Sequence, residues 1–111
     1  MASAGSAAGP VLFRLVPQGD GALAASGPLT FAGARGARQL GLAALAGATG
    51  RDLQIDCAQV TLADSAGLAV LLDWLAAAKR SGHSLRFAHL PEGLLALGRI
   101  SEVEELLTRG V

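Results

Sequence analysis

Hydrophobic and polar positions along the chain follow two spacings, and the two-residue spacing predicts the strands. Leu53 and Ile55 alternate with polar neighbours, and Leu85 and Phe87 do the same further along the chain. Such alternation is typical of strands that bury one face. An earlier segment, VLFRLV, is rich in β-branched and aromatic residues, which strands favour. The strands predicted in this way are 11–16, 22–26, 52–56 and 84–90, with a turn in PQGDG between the first two.

Longer apolar segments with helical spacing separate and follow these strands. They predict helices over 32–48, 65–81 and 92–100, and a last helix from Ser101 through Leu107. Thr30 is expected to cap the first helix, and Ser-Glu-Val-Glu at Ser101 has the spacing of a capping box. The resulting order, β-β-α-β-α-β-α-α, predicts an α/β fold with a mixed sheet of about four strands and parallel βαβ units.

The helix predicted over 65–81 has one apolar stripe and one face of small residues. Leu68, Leu71, Leu72 and Leu75 share the stripe that is expected to face the core. Helical spacing puts a second group on the opposite side, namely Ala66, Ala69, Val70, Asp73, Ala77 and Arg80. Trp74 falls between the two. Small residues beside one large aromatic are typical of a protein interface, so we expect an interaction surface here. The alternative is an alanine-rich helix whose Trp74 packs into the edge of the core.

Composition disfavours several classes of function. Nine basic and nine acidic residues balance, and no positive run compensates, which argues against nucleic-acid binding. The single cysteine, Cys57, cannot form an internal disulfide and is expected to be a small buried hydrophobe. Neither a signal peptide nor an apolar segment of membrane-spanning length is present, so we expect a cytoplasmic protein without membrane insertion. One domain over 11–111 is expected, after a flexible segment 1–10.

Catalytic chemistry finds little support in the sequence. A hydrolytic serine needs a base with an orienting acid, and His83 and His89 are the only imidazoles. The cysteine, histidines and carboxylates do not have metal-ligand spacing, and the fifteen glycines do not form a phosphate-binding loop. We therefore expect a protein that is not an enzyme and that uses no cofactor or metal.

Residues 52–75 carry a family signature. A strand that ends in aspartate is followed by a short loop, and then Asp-Ser-Ala-Gly-Leu opens an apolar helix. This pattern resembles the STAS domain, the fold shared by anti-sigma-factor antagonists and the cytoplasmic ends of some anion transporters. The predicted order of elements from 11 to 107 also fits that fold, so the resemblance extends over nearly the whole chain.

Within the STAS family, the chain is most similar to the MlaB-like branch. The similarity rests on the segment from Ala63 to Leu72, on AKRSGHSLRF and on LPEGLLALGRISEVEELL. It implies a non-catalytic subunit that binds and stabilises or regulates the cytoplasmic ATPase of a bacterial ABC transporter for phospholipids. That transporter also contains permease and lipid-binding subunits at the inner membrane, and it maintains outer-membrane lipid asymmetry. The alternative is an anti-sigma-factor antagonist, although antagonists usually have serine where this chain has Ala66.

Ser65 is the residue on which the two interpretations differ. Asp64 or Ser65 can cap the helix by accepting a hydrogen bond from a free amide of its first turn. A phosphate on Ser65 would gain amide donors and a favourable helix dipole, as in a phosphorylation switch. Ser65 is therefore either a docking contact that also caps the helix or a regulated phosphorylation site. The predicted partner-binding residues are Asp64, Ser65, Ala66, Ala69, Val70, Asp73 and Trp74.

Overall fold

The four strands and four helices occur in the predicted order. A computed structural model describes residues 12–111, and the segment 1–10 that the sequence predicts to be flexible lies outside them. The strands are β1 (Arg14–Gly19), β2 (Ala22–Leu29), β3 (Asp52–Ala63) and β4 (Ser84–Ala88). The helices are α1 (Ala34–Gly47), α2 (Ser65–Arg80), α3 (Glu92–Ile100) and α4 (Glu104–Arg109), and a 3-10 turn, Phe31–Gly33, precedes α1.

The strands form one mixed sheet in the order β1-β2-β3-β4. β1 pairs with β2 in the antiparallel sense, as a tight turn allows, whereas β2, β3 and β4 are parallel. Each parallel neighbour requires a crossover, and α1 and α2 provide the two crossovers. The mixed sheet and the α/β class predicted from the sequence are confirmed.

β3 is much longer than its sequence pattern predicts. The short loop expected after Asp56 is wrong, because the strand continues to Ala63 and buries Cys57 and Val60. Two irregularities in the pairing of β2 with β3 explain the error. Each one inserts an extra residue and moves the following side chains to the other face of the sheet. The strict two-residue alternation is therefore lost, although the strand is continuous.

The ends of the other strands also differ from prediction. β1 runs through Pro17, in a segment predicted to be a turn, because a proline is tolerated on an edge strand, where its missing N–H can face outward. β2 continues to Leu29 instead of ending at Ser26. β4 stops at Ala88, because His89 has a φ of 57°, in the left-handed region that breaks a strand.

Two predicted helix caps are wrong. The Thr30 side chain makes no capping hydrogen bond. Ser101 closes the end of α3 instead of opening the last helix, because the Val103 N–H bonds back to the Gly98 carbonyl oxygen at 2.8 Å. Glu102, with a φ of 61°, completes this reversal, so α4 begins only at Glu104.

The core lies between one face of the sheet and the helices. Leu53 and Ile55 are buried there, and so are Leu85 and Phe87, as their alternation predicts. All four helices contribute to this same apolar cluster, for example through Leu107 of α4. We call the opposite side of the sheet the open face. Its middle rows carry exposed polar side chains such as those of Gln54 and Arg86.

Candidate functional site

Asp64 organises the chain where β3 ends and α2 begins. One carboxylate oxygen, Oδ1, accepts hydrogen bonds from the N–H groups of Ala66 (2.9 Å) and Gly67 (3.1 Å), and so caps the helix. The other oxygen, Oδ2, accepts from the Phe31 N–H at 3.0 Å and ties the 3-10 turn to the same point. These hydrogen bonds, that from Phe31 foremost, hold the pKa of the Asp64 carboxyl below its usual value.

Gly67 allows α2 to approach the sheet closely. A Cβ atom at this position would lie 2.0 Å from the Leu29 carbonyl oxygen at the end of β2. That separation is far below van der Waals contact, and the obstacle is backbone that cannot rotate away. The glycine of Asp-Ser-Ala-Gly-Leu is therefore required by packing, while the aspartate is the cap.

Ser65 is left facing solvent. Since Asp64 supplies the capping oxygen, the exposed Ser65 side chain is not used as the helix cap. One and two turns further along α2, Ala69 and Asp73 are also exposed, and Ala66 is half-buried. Asp73 forms an ion pair with Arg38 of α1, in which Nε and Oδ2 are 2.9 Å apart. The exposed side of α2 thus runs from Ser65 through Ala69 to Asp73.

Two residues predicted to bind a partner, Val70 and Trp74, are buried in the fold. Val70 retains only 3% of its surface, Trp74 retains none, and Ala77 beside them is also buried. These residues face α1, where the Trp74 indole Nε1 donates to the Arg38 carbonyl oxygen at 3.2 Å. The indole lies directly over Gly41 of α1, where a Cβ atom would be 2.0 Å from Nε1. The alternative interpretation, in which Trp74 packs into the core, is confirmed.

The helical pattern failed here because α2 packs against α1 as well as against the sheet. One side contacts the sheet through Leu71 and Leu75, and a second side contacts α1, so the apolar arc is wider than a single stripe. A valine, a tryptophan and alanines do not distinguish a surface covered by a second helix from one that faces water.

Sequence reasoning also missed two exposed apolar side chains next to Ser65. Phe31 is 82% exposed and Leu62 is 64% exposed. Phe31 begins the 3-10 turn that bonds to Asp64, and Leu62 lies near the end of β3, two residues before Asp64. For Phe31 the sequence does contain an indication of exposure. The residues three and four positions later are Ala34 and Arg35, so Phe31 has no large apolar partner at helical spacing with which to form a buried stripe. For Leu62 the signal was hidden by the irregular pairing of β3.

The groups that could perform catalysis lie apart from Ser65. His83 follows the far end of α2, about 24 Å away for a helix of this length. His89 Nδ1 lies 3.0 Å from Asp56 Oδ1 on the surface. Cys57 is fully buried as predicted, and burial raises the pKa of its thiol to about 12, which keeps it protonated at neutral pH.

Other features of the described chain do not add chemistry to this site. A cleft of about 710 Å³ lies between the turn at residues 19–21 and the loop at 47–52, at the opposite end of β3 from Ser65. Within residues 12–111, no three side chains of the metal-ligating types come together. No helix in that range is long and apolar enough to cross a membrane.

Comparison with known proteins identifies the family. Residues 16–108 match the sequence family described as "Mlab, STAS domain". The chain belongs to the MlaB-like STAS domain family. No protein with a curated description matches this STAS domain.

Solved structures show the same fold at low sequence identity. The anti-sigma factor antagonist SpoIIAA, in its unphosphorylated form, is 11% identical with a TM-score of 0.61, over 79% of this chain and 82% of that chain. A sulfate transporter family protein from Wolinella succinogenes is 18% identical with a TM-score of 0.62, over 85% of this chain and 75% of that chain. The STAS fold is therefore shared across proteins of different function.

Proposed function

We propose that this STAS domain is a non-catalytic subunit that binds the ATPase of an ABC-type phospholipid transporter. Membership of the MlaB-like family supports the proposal. The observation that carries it concerns the start of α2. Asp64 caps the helix there, so Ser65 is left facing solvent beside the exposed Ala69. A side chain that the fold does not use is available to a partner.

Binding alone would be enough to regulate the ATPase. A subunit that binds one arrangement of the ATPase more tightly than another shifts the population toward that arrangement. It needs no contact with ATP for this effect. In this proposal the domain is cytoplasmic and peripheral at the inner membrane, held there by the ATPase together with the permease and lipid-binding subunits.

Co-purification of the domain with the ATPase subunit from the same organism tests the proposal. The wild-type domain should bind, and Ala69→Arg should abolish binding, because it places an unpaired charge in the contact. Ala46→Arg provides the matched control, since Ala46 is an exposed helical alanine near the far end of α1. Equal binding by the wild-type domain and Ala69→Arg would contradict docking on this side of α2. Complete absence of binding by the wild-type domain would contradict the function.

The fold shared with SpoIIAA and the exposure of Ser65 favour one alternative, an anti-sigma-factor antagonist switched by phosphorylation of Ser65. A phosphate on Ser65 would sit at the positive end of the α2 dipole and next to the Asp64 carboxylate. Intact-mass measurement of the protein from native cells, sampled across growth phases, tests this alternative. A phosphorylated fraction that Ser65→Ala eliminates would support it, whereas its absence in every phase would count against it.

A further inference from the structure

Three large apolar side chains are exposed at the end of the molecule where Ser65 lies. Leu12 is 69% exposed, Phe31 is 82% exposed and Leu62 is 64% exposed. They come from three separate segments of the chain, so their proximity is a property of the fold and not of one apolar stretch.

Strand pairing places Leu62 on the open face of the sheet, and the register of β1, extended to Leu12, places that residue in the same row. Leu62 pairs with Pro28 of β2. On the other side of β2, the pairing with β1 begins with Arg14 opposite Ser26, and the same register extended two residues before β1 sets Leu12 opposite Pro28. A Cβ atom at Gly27 would lie 2.5 Å from the Leu12 carbonyl oxygen and 3.3 Å from the Phe13 Cα atom, so the chain before β1 still runs beside β2 there.

The neighbouring side chains show on which face of the sheet this row lies. Phe13 points toward the helices, where its ring centroid is 6.0 Å from that of Trp74. Leu29 and Val60 are buried on the same side. Because successive strand side chains point to opposite faces, Leu12 and Pro28 lie on the open face. Leu62, as the pairing partner of Pro28, lies there with them.

The backbone of Phe31 lies close to the chain between Leu62 and Ser65. Its N–H bonds to the Asp64 carboxylate, two residues after Leu62 and one residue before Ser65. We name the surface formed by Leu12, Pro28, Phe31 and Leu62 the apolar rim. The hydrogen bond from Phe31 to Asp64 places the apolar rim beside the start of α2, whose exposed side the proposed function uses.

The unpaired charges that border the apolar rim are positive. Arg14 is exposed in the next row of the open face, and Arg35 is exposed one turn after Phe31. The two nearby acids are already engaged, since Asp64 accepts three backbone N–H groups and Asp73 pairs with Arg38. Parallel strands are usually covered on both faces, and here Leu62, one residue before the end of β3, is an apolar residue that the domain itself does not cover.

We infer that the apolar rim is the hydrophobic half of the docking surface, and that the ATPase subunit meets it with an apolar segment flanked by acidic side chains. This inference rests on the proposed function and extends it from α2 onto the open face of the sheet. Phe31 is the main anchor, because aromatic side chains contribute most at the centre of interfaces. Arg14 and Arg35 supply charge complementarity, which favours a protein partner with acidic groups at its rim.

Affinity measurements with the purified ATPase subunit test the inference. Phe31→Ser and Leu62→Ser should each weaken binding about tenfold or more. Ile100→Ser is the matched control, because Ile100 is 81% exposed at the end of α3, outside the apolar rim, and it should bind like wild type. Arg35→Glu should also weaken binding, and wild-type affinity should fall as salt increases. Because all these side chains are exposed, each variant should melt near the wild-type temperature.

The outcomes separate the inference from the function on which it rests. If the wild-type domain fails to bind the ATPase, the proposed function is wrong. If wild type binds and Phe31→Ser and Leu62→Ser bind as tightly as Ile100→Ser, the function stands and the apolar rim is wrong. If Phe31→Ser keeps ATPase binding but loses co-sedimentation with phosphatidylglycerol vesicles, the rim contacts a membrane and the inference is overturned.

Discussion

Two sides of helix α2 look alike in the sequence and have opposite environments in the fold. One side, with Val70, Trp74 and Ala77, is buried against α1. The other side, with Ser65, Ala69 and Asp73, is exposed. Both sides are built largely from small or moderately apolar residues, so side-chain character alone does not separate them. What separates them is the position of α1, which packs closely on one side of α2 where Gly41 meets Trp74.

The largest difference in stability between the two sides of α2 is expected from charge substitutions at adjacent positions. Val70→Glu is expected to destabilise the domain by about 3 kcal/mol or more, because it buries an unpaired carboxylate between α1 and α2. Ala69→Glu, one residue earlier and exposed, should change the free energy of unfolding by less than about 0.5 kcal/mol. Urea denaturation of the two variants measures the difference. Equal stability of the two would show that α1 does not cover Val70.

Two glycines of α1 test how closely this helix packs on the buried side of α2. Gly41→Ala should cost about 1–3 kcal/mol, because the added methyl group overlaps the Trp74 indole and forces the helices apart. Gly36→Ala, in the same helix but with open space around its Cβ, should stabilise the domain by about 0.5–1 kcal/mol through helix propensity. Thermal melting of both variants provides the test. A stabilising effect of both would contradict the close packing of α1 on α2.

The exposed end of α2 should respond to loss of its cap. Asp64→Ala removes the acceptor for three N–H groups, so the melting temperature should fall by several degrees. The folded-state pKa of Asp64 is below its usual 3.8, so its stabilising effect is complete above about pH 5. That effect is lost as the pH falls through the folded-state pKa. The difference between wild type and Asp64→Ala should therefore shrink in acid, and a constant difference from pH 7 to pH 2 would contradict a charged cap.

The smallest effect is expected at Ser65. Ser65→Ala removes an exposed hydroxyl whose capping role Asp64 already performs, so stability should change by less than about 0.5 kcal/mol. Urea denaturation of Ser65→Ala and Asp64→Ala, each compared with wild type, measures the change in the free energy of unfolding. A loss as large as that of Asp64→Ala would mean that both residues share the cap, and that Ser65 is not left free for a partner.

Sequence reasoning predicted the order of elements, the fold class and the position of the Asp64–Ser65 motif. These features depend on local spacing and on pairs of residues near one another, such as Asp64 and the N–H groups of the next turn. The failures at Val70 and Trp74 arose because burial on that side depends on a helix that begins thirty-six residues before Val70. The placement of Leu12 and Leu62 in the apolar rim could not be predicted either, because it depends on strand register and on bulges within β3.

The burial of Trp74 also gives the domain an internal optical reporter. It is the single tryptophan of the chain, tyrosine is absent, and its indole is fully shielded from water between α1 and α2. Intrinsic fluorescence excited at the red edge of indole absorption therefore originates from one site, and its wavelength reports whether the two helices remain together. Since Ser65 and the apolar rim lie outside that contact, emission follows unfolding of the helix pair independently of the exposed docking surface.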